Sequence, residues 1–125
     1  MRVKLEVKGA RGLKKGFALD VNTLSVEIQT PKEVFHTSRI QHSKNPEWNS
    51  SFTLDLPNKG VIKFTIYRWG AFAGSHIEGK VELDINEVIA EETGDVWLSS
   101  NKKRHPVEIH ICWSVESPKI KETTY

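Results

Sequence analysis

Residues 36–56 read HTSRIQHSKNPEWNSSFTLDL, which is two strand-like runs on either side of an Asn-Pro pair. Asn45 and Pro46 favour a turn, because proline fixes its φ angle and asparagine tolerates turn conformations. After the turn, apolar and polar residues alternate over 52–56, as expected of a strand with one buried face. Trp48 lies between the turn and this strand, and its indole can plug the edge of a sandwich beside the turn.

The same period-two alternation recurs along most of the chain. The runs that show it, clearly or weakly, are 2–7, 24–28, 34–40, 52–56, 62–66, 77–83, 96–98 and 107–115. Glycine and proline clusters between the runs mark turns. About eight short strands at this regular spacing are typical of an antiparallel sandwich. Only 84–92 is predicted to be helical, because Ile85, Val88 and Ile89 share a face behind Asp84 as a candidate cap.

Length and composition fit a single domain. The chain has 125 residues, 38% of them hydrophobic, and a net charge of only +2, which argues against a nucleic-acid binder. One cysteine excludes an internal disulfide framework and a multi-cysteine zinc site. No stretch approaches the roughly 20 apolar residues of a membrane span, and the start lacks the apolar core of a signal peptide. We expect a soluble, intracellular chain with a β-sandwich over 1–116 and a flexible tail over 117–125.

Polar residues form no pattern typical of an active site. The five histidines show no HExxH spacing, and the chain has no glycine-rich phosphate loop and no GxSxG-like elbow. His110 and Cys112 share one face of the last strand, with His110 expected to face solvent. A Cys–His pair stays open there, although plain strand residues are favoured. The sequence therefore predicts a non-enzyme with no cofactor and no metal.

The segment 36–56 resembles the central signature of C2 domains, in which a Thr-led strand runs into an Asn-Pro-x-Trp turn and a following strand. The matching residues are Thr37, Asn45, Pro46, Trp48, Asn49, Phe52 and Leu54. Further landmarks match in order over roughly residues 2–116, with a shift of one residue at Glu78. The resemblance implies an all-β fold, an eight-stranded antiparallel Greek-key β-sandwich with one short helix near 84–92.

Calcium binding is not expected, although many C2 domains bind calcium in loops at one end of the sandwich. Calcium prefers about six to eight oxygen ligands, mostly carboxylate, and the family supplies them from aspartates. The corresponding positions here fall on 14–16, Asp20 or Asn22, 68–70, and Ser75 or His76, so that at most Asp20 remains. Cations in these loops would also repel the metal. The resemblance thus implies a calcium-independent member.

The same loops combine aromatic and basic residues, and the resemblance implies that they lie side by side. The candidate membrane-binding residues are Lys14, Lys15, Phe17, Arg68, Trp69 and Phe72. Aromatic rings favour the membrane interface, and a basic residue near an anionic surface contributes about 1 kcal/mol. The hypothesis is a weak, peripheral, cytoplasmic module that docks an attached or partner protein to anionic phospholipid membrane. In the alternative, Phe17 closes the sandwich end and Trp69 folds back over Tyr67 or the first loop.

A second hypothesis is a protein–protein interaction module in trafficking or signalling. Some C2 domains pair with themselves or with other domains through sheet faces or edges, and the outward residues Thr65, Tyr67, His110 and Cys112 would then matter most. The basic run 102–105 is interpreted as a solvated turn before the last strand. Neither hypothesis involves nucleic acid or a transmembrane segment.

Overall fold

The computed structural model describes residues 1–13, 22–41, 43–70, 74–100 and 106–116; the predicted tail lies outside them. In those ranges the elements are β1 (Arg2–Arg11), β2 (Thr23–Gln29), β3 (Val34–His36), β4 (Ile40–Gln41), β5 (Glu47–Asp55), β6 (Val61–Trp69), β7 (Ser75–Asp84), α1 (Ile85–Glu91), β8 (Thr93–Ser99) and β9 (Glu108–Val115). None of the helices in these ranges is long and apolar enough to cross a membrane.

Two antiparallel sheets make up the fold. The first sheet has the strand order β5-β1-β9-β8, and the second has the order β3-β2-β6-β7, with β4 also paired to β2. The chain passes repeatedly from one sheet to the other. The central pairs β1–β9 and β2–β6 therefore join strands that are far apart in sequence. The predicted antiparallel β-sandwich is confirmed.

The core lies between the sheets and follows the period-two pattern. Its fully buried aliphatic and aromatic side chains include Leu5, Leu24, Ile28, Leu54, Ile62, Phe64, Ile66, Ile109 and Ile111. Trp48 is also buried, and its Nε1 donates a hydrogen bond to the Leu24 carbonyl at 3.2 Å. The indole therefore closes the sandwich beside the Asn-Pro turn, as the sequence predicts.

The weak run 34–40 forms two short strands where the sequence predicts one. At Thr37 the side chain takes over a backbone role, because its hydroxyl oxygen accepts a hydrogen bond from the Val26 amide at 2.9 Å. The Thr37 amide in turn donates to the Val26 carbonyl at 2.9 Å. This exchange interrupts the strand between β3 and β4, so the prediction of eight strands is one short.

Helix α1 begins where the sequence predicts. The Asp84 carboxylate accepts a hydrogen bond from the Asn86 amide at 2.8 Å, which satisfies one of the free amides of the first turn. The side chains of Ile85 and Val88 are buried against the sandwich, whereas Ile89 is 39% exposed. The predicted apolar face is thus wrong at Ile89, because the sandwich covers only one side of this short helix.

The two ends of the sandwich carry different connections. The strand ends that flank the connections 12–22, 42–46, 70–74 and 100–107 meet at one end, which we call the loop end. The opposite end, with 30–33, 56–60 and 84–92, is the helix end. Strand register establishes the loop end, since Thr23 pairs with both Gln41 and Trp69, and Trp69 pairs with Ser75. The described flanks of the connections therefore lie side by side, as expected.

Candidate functional site at the loop end

Two of the six predicted membrane-binding residues fall in the described part of the chain. Arg68 and Trp69 are the last residues of β6, directly before the connection 70–74. Lys14, Lys15, Phe17 and Phe72 lie outside the described residues. The strand ends that flank their connections meet at the loop end.

Trp69 packs against the outer face of the second sheet. Its indole Nε1 donates a hydrogen bond to the Ser25 hydroxyl at 2.8 Å, and its ring centre is 6.0 Å from that of Tyr67. The guanidinium of Arg39 covers the ring at 3.6 Å from the centroid, a cation–π contact. The alternative in which Trp69 folds back over Tyr67 is the one observed. A role in membrane binding stays a prediction.

Arg68 is paired with an acidic residue. Its Nε lies 3.6 Å from a Glu78 carboxylate oxygen, and the two side chains are only 27% and 13% exposed. Glu78 is an extra residue in β7, because Ile66 pairs with Gly79 while Tyr67 pairs with Ile77. This bulge accounts for the one-residue shift noted in the sequence, and it directs Glu78 toward Arg68. Much of the Arg68 charge is therefore offset within the fold.

Charge is divided unevenly between the two ends. The loop-end connections contain six basic residues and a single acidic residue: Lys14, Lys15, Lys44, Lys102, Lys103 and Arg104 against Asp20. The helix-end connections contain two basic and five acidic residues: Lys32 and Lys59 against Glu33, Asp84, Glu87, Glu91 and Glu92. The net charge of +2 conceals this polarity.

Sequence reasoning misses this polarity because it interprets the basic run 102–105 as an isolated turn. The run itself lies outside the described residues, but its neighbours are fixed. The Ser100 amide donates to the Val107 carbonyl at 2.9 Å, and Ser99 pairs with Glu108. Both flanks of the run thus lie at the loop end, beside the flanks of the connection that holds Lys14 and Lys15.

A second polar group lies on the outer face of the first sheet. Asp95 of β8 pairs directly with Cys112 of β9, and an Asp95 carboxylate oxygen lies 2.5 Å from the His110 Nε2. The hydrogen bond from His110 lowers the pKa of Asp95. Burial, followed by the Asp95 charge, raises the pKa of the Cys112 thiol.

This arrangement is unsuited to nucleophilic catalysis. A catalytic thiol is activated by a lowered pKa, usually beside a histidine, whereas here burial and the nearby Asp95 charge raise the pKa of the thiol. His110 faces outward as predicted, but it is only 24% exposed because its ring stacks on Trp97. Sequence reasoning misses Asp95. Pairing the inward residues of the last two strands would have placed it opposite Cys112.

Comparison with known proteins identifies the fold and its relatives. The family model for the C2 domain matches residues 1–100. "Probable ADP-ribosylation factor GTPase-activating protein AGD13" of Arabidopsis thaliana is 25% identical over 107 residues, which cover 74% of this chain and 32% of that protein. "Protein C2-DOMAIN ABA-RELATED 1" of Arabidopsis thaliana is 28% identical over 83 residues, covering 62% of this chain and 49% of that protein.

Solved structures agree with that fold. A calcium-bound structure of two C2 domains of Extended-Synaptotagmin 2 superposes with a TM-score of 0.77 at 16% identity. The match covers 90% of this chain and 44% of that one. The chain therefore spans half or less of the length of these three relatives.

Proposed function

Because this chain belongs to the C2 domain family, we propose that it docks an attached or partner protein to anionic phospholipid membrane through its loop end, without calcium. The observation that carries the proposal is the charge polarity of the sandwich. Six basic residues and one acidic residue occupy the connections at the loop end, whereas acidic residues predominate at the helix end. An anionic surface attracts the first end and repels the second, which favours one orientation.

The basic residues supply the binding energy in this proposal. Each lysine or arginine close to an anionic leaflet contributes about 1 kcal/mol, and salt weakens that attraction. Arg68 contributes less than the lysines, because its guanidinium is half-buried beside Glu78. Most of the positive charge comes from Lys14, Lys15 and the run 102–104. Such an attachment is weak and peripheral, so a second anchor or a partner would reinforce it.

Aromatic residues have two roles in the proposal. Phe17 and Phe72 enter the interface between lipid headgroups and acyl chains, where aromatic rings are favoured. Trp69 acts as a support, because its hydrogen bond to Ser25 and its contact with Arg39 join β6 to the neighbouring elements. These contacts fix the strand end from which the connection 70–74 begins.

Calcium independence rests on the residues at the expected ligand positions. A calcium site needs several carboxylate oxygens, and Asp20 is the one aspartate at those positions in the sequence. Arg68 takes one of these positions, and its partner Glu78 is already neutralised by it. The fixed cations replace the bound metal as the source of positive charge. The module is non-catalytic and cytoplasmic in this proposal.

Vesicle co-sedimentation in the presence of a calcium chelator tests the proposal. Lys14→Ala combined with Lys15→Ala removes two loop-end charges, and Lys59→Ala combined with Lys63→Ala removes two charges near the helix end. Binding to phosphatidylserine vesicles should weaken about 30-fold in the first variant, since about 2 kcal/mol is lost. The control variant should bind like the parent chain. Equal effects of the two variants would overturn the assignment of the loop end.

A protein-interaction module is the second candidate, and an exposed aromatic on the first sheet favours it. Trp97 is 38% exposed and lies on the outer face of β8, which is an edge strand. Thr65, which the sequence analysis places on an outward surface, is only 8% exposed and contributes little there. Trp97→Ser should weaken binding to a protein partner and leave vesicle binding unchanged. If this variant also lost vesicle binding, the outer face of β8 and the loop end would not be separate binding surfaces.

A further inference from the structure

Three side chains with different metal-ligating atoms converge on the outer face of the first sheet. They are Asp95 of β8 with His110 and Cys112 of β9, and their ligand atoms all lie within 4.8 Å of one another. His110 and Cys112 are two residues apart on one strand, so they share a face, and Asp95 is the cross-strand neighbour of Cys112. Because the three positions lie on paired strands, the backbone holds them in a fixed arrangement.

We propose that Asp95, His110 and Cys112 bind a divalent transition-metal ion of the zinc class. A carboxylate oxygen, an imidazole nitrogen and a thiolate sulfur are the three donor types that zinc uses, and three protein ligands leave a fourth position for water. Tetrahedral bonds of about 2.0–2.3 Å place neighbouring donors about 3.5 Å apart. Donors that already lie within 4.8 Å of one another reach this spacing by small side-chain rotations.

Charge and protons balance on binding. The Cys112 thiol releases its proton to solvent and becomes a thiolate. The His110 Nε2 gives up its hydrogen bond to Asp95, and the imidazole changes to the tautomer that carries its proton on Nδ1 and offers the Nε2 lone pair to the metal. The Asp95 carboxylate is already ionised, so two anionic donors neutralise the dication. Glu6 and Lys8 of β1 face the same site from the other side of β9, and they pair with each other at 3.6 Å. Their charges therefore offset one another beside the metal.

Trp97 acts as a positioning residue for His110. The two rings stack with centroids 4.7 Å apart and planes 18° apart, which fixes the imidazole against the sheet. Arg11 lies over the Trp97 ring at 3.9 Å, and its Nε contacts a Glu108 carboxylate oxygen at 2.7 Å. This stack orients the imidazole before any ion arrives, which is the function of outer-shell partners in metal sites.

A second histidine provides a matched control. His36 on the second sheet also lies near a carboxylate, with its Nε2 3.9 Å from a Glu27 oxygen. Cys112 is the single cysteine of the chain, so that pair has no thiol beside it. If any histidine–carboxylate pair bound the metal, both His36 and His110 would contribute to binding. The proposed site depends on His110 alone.

Titration with Co²⁺ and Zn²⁺ tests the proposal, because a thiolate bound to Co²⁺ gives a charge-transfer absorption band. We expect one Co²⁺ per chain with this band, displaced by Zn²⁺, in the parent chain and in His36→Ala. Cys112→Ser should abolish the band, and both it and Asp95→Asn should weaken Zn²⁺ binding at least tenfold. Trp97→Leu should weaken metal binding while the band persists. A purely structural role of the indole would leave the metal affinity unchanged.

Two outcomes would contradict the proposed metal site. No thiolate band in the parent chain would overturn the proposal, as would Zn²⁺ affinity that is unchanged in Cys112→Ser and Asp95→Asn. Unfolding of a variant is recognised from its circular dichroism, and Zn²⁺ should raise the melting temperature of the parent chain but not that of Cys112→Ser. Vesicle binding in chelator is a separate readout, so failure of the metal site leaves the proposed membrane function untouched.

Discussion

The helix end of the sandwich is acidic, whereas the loop end is basic. At the helix end the Met1 ammonium donates to the Leu56 carbonyl at 2.9 Å and lies 3.6 Å from an Asp55 oxygen. Nearby, Gly94 lies directly against the Trp113 ring. Packing at the loop end varies: a side chain added at Gly74 would contact nothing within 4 Å, whereas a methyl group at Gly12 would lie 2.4 Å from the Pro106 carbonyl oxygen.

This difference suggests a division of tasks within one small domain. The helix end fixes both the start of the chain and the last strands, so it contributes to stability. The loop end carries most of the excess positive charge, on connections that extend from rigid strand ends. Binding residues commonly lie on such connections because they can change without disturbing the scaffold. The following substitutions compare the two ends directly.

Glycine substitutions should show the largest difference in stability. A methyl group on Gly94 would lie 2.2 Å from a Trp113 ring atom, so Gly94→Ala should displace the buried indole and cost about 3 kcal/mol. Gly74→Ala meets open space and is penalised only by its φ of 74°, at about 1 kcal/mol. Urea unfolding of both variants measures this, and equal costs would refute the contrast in packing.

Two buried indoles provide the next comparison. Trp48→Phe removes the donor to the Leu24 carbonyl as well as buried volume, and it should cost about 2 kcal/mol. The Trp113 Nε1 is buried without a hydrogen-bond partner among the described residues, so Trp113→Phe discards a costly donor. Its free energy of unfolding should fall by about 1 kcal/mol less than that of Trp48→Phe. If Trp113→Phe cost more than Trp48→Phe, the loss of buried side-chain volume would outweigh the loss of a hydrogen bond.

The cap of α1 should have a smaller effect. Asp84→Ala leaves the Asn86 amide without its acceptor and should lower the free energy of unfolding by about 1 kcal/mol. Glu82→Ala, two residues earlier on an exposed position of β7, should change it by less than about 0.5 kcal/mol. Thermal unfolding distinguishes the two, and similar shifts would mean that the cap contributes nothing specific.

The smallest effect concerns Asp55 and depends on pH. The hydrogen bond and charge of Lys32, together with the N-terminal ammonium, lower the pKa of this carboxyl. A folded-state pKa below the unfolded value stabilises the fold above the unfolded pKa, and the gain disappears as pH falls through the folded pKa. Asp55→Asn should therefore be slightly less stable than the parent chain at neutral pH, with the difference vanishing in acid. A difference that grows in acid would contradict this assignment.

Most of the fold follows from short-range patterns. Inward residues such as Val3, Leu5 and Val7 alternate without exception, so the strands that contain them are evident in the sequence. The break between β3 and β4 is not evident, because it depends on a bond between Thr37 and Val26, which belong to different strands. The exposure of Ile89 likewise depends on which side of α1 the sandwich covers.

Much of the candidate sites depends on strand register and topology, which the sequence shows only indirectly. The residues in the loop connections are visible in the sequence, but only the order of the strands shows that the flanks of the connections 12–22 and 100–107 lie at the same end. Similarly, Asp95 and Cys112 are 17 positions apart and meet through the pairing of β8 with β9. The position of a single side chain such as Trp69 is not evident in the sequence, because it depends on packing against residues such as Ser25.

The central claim is that the loop end binds anionic membrane without calcium. The most direct measurement is the binding of the chain to phosphatidylserine vesicles over a lipid titration, once with a chelator and once with excess calcium. The account predicts equal half-saturation in both series and weaker binding as salt is raised. Binding that occurs only with calcium, or no binding to anionic vesicles in chelator at low salt, would contradict it.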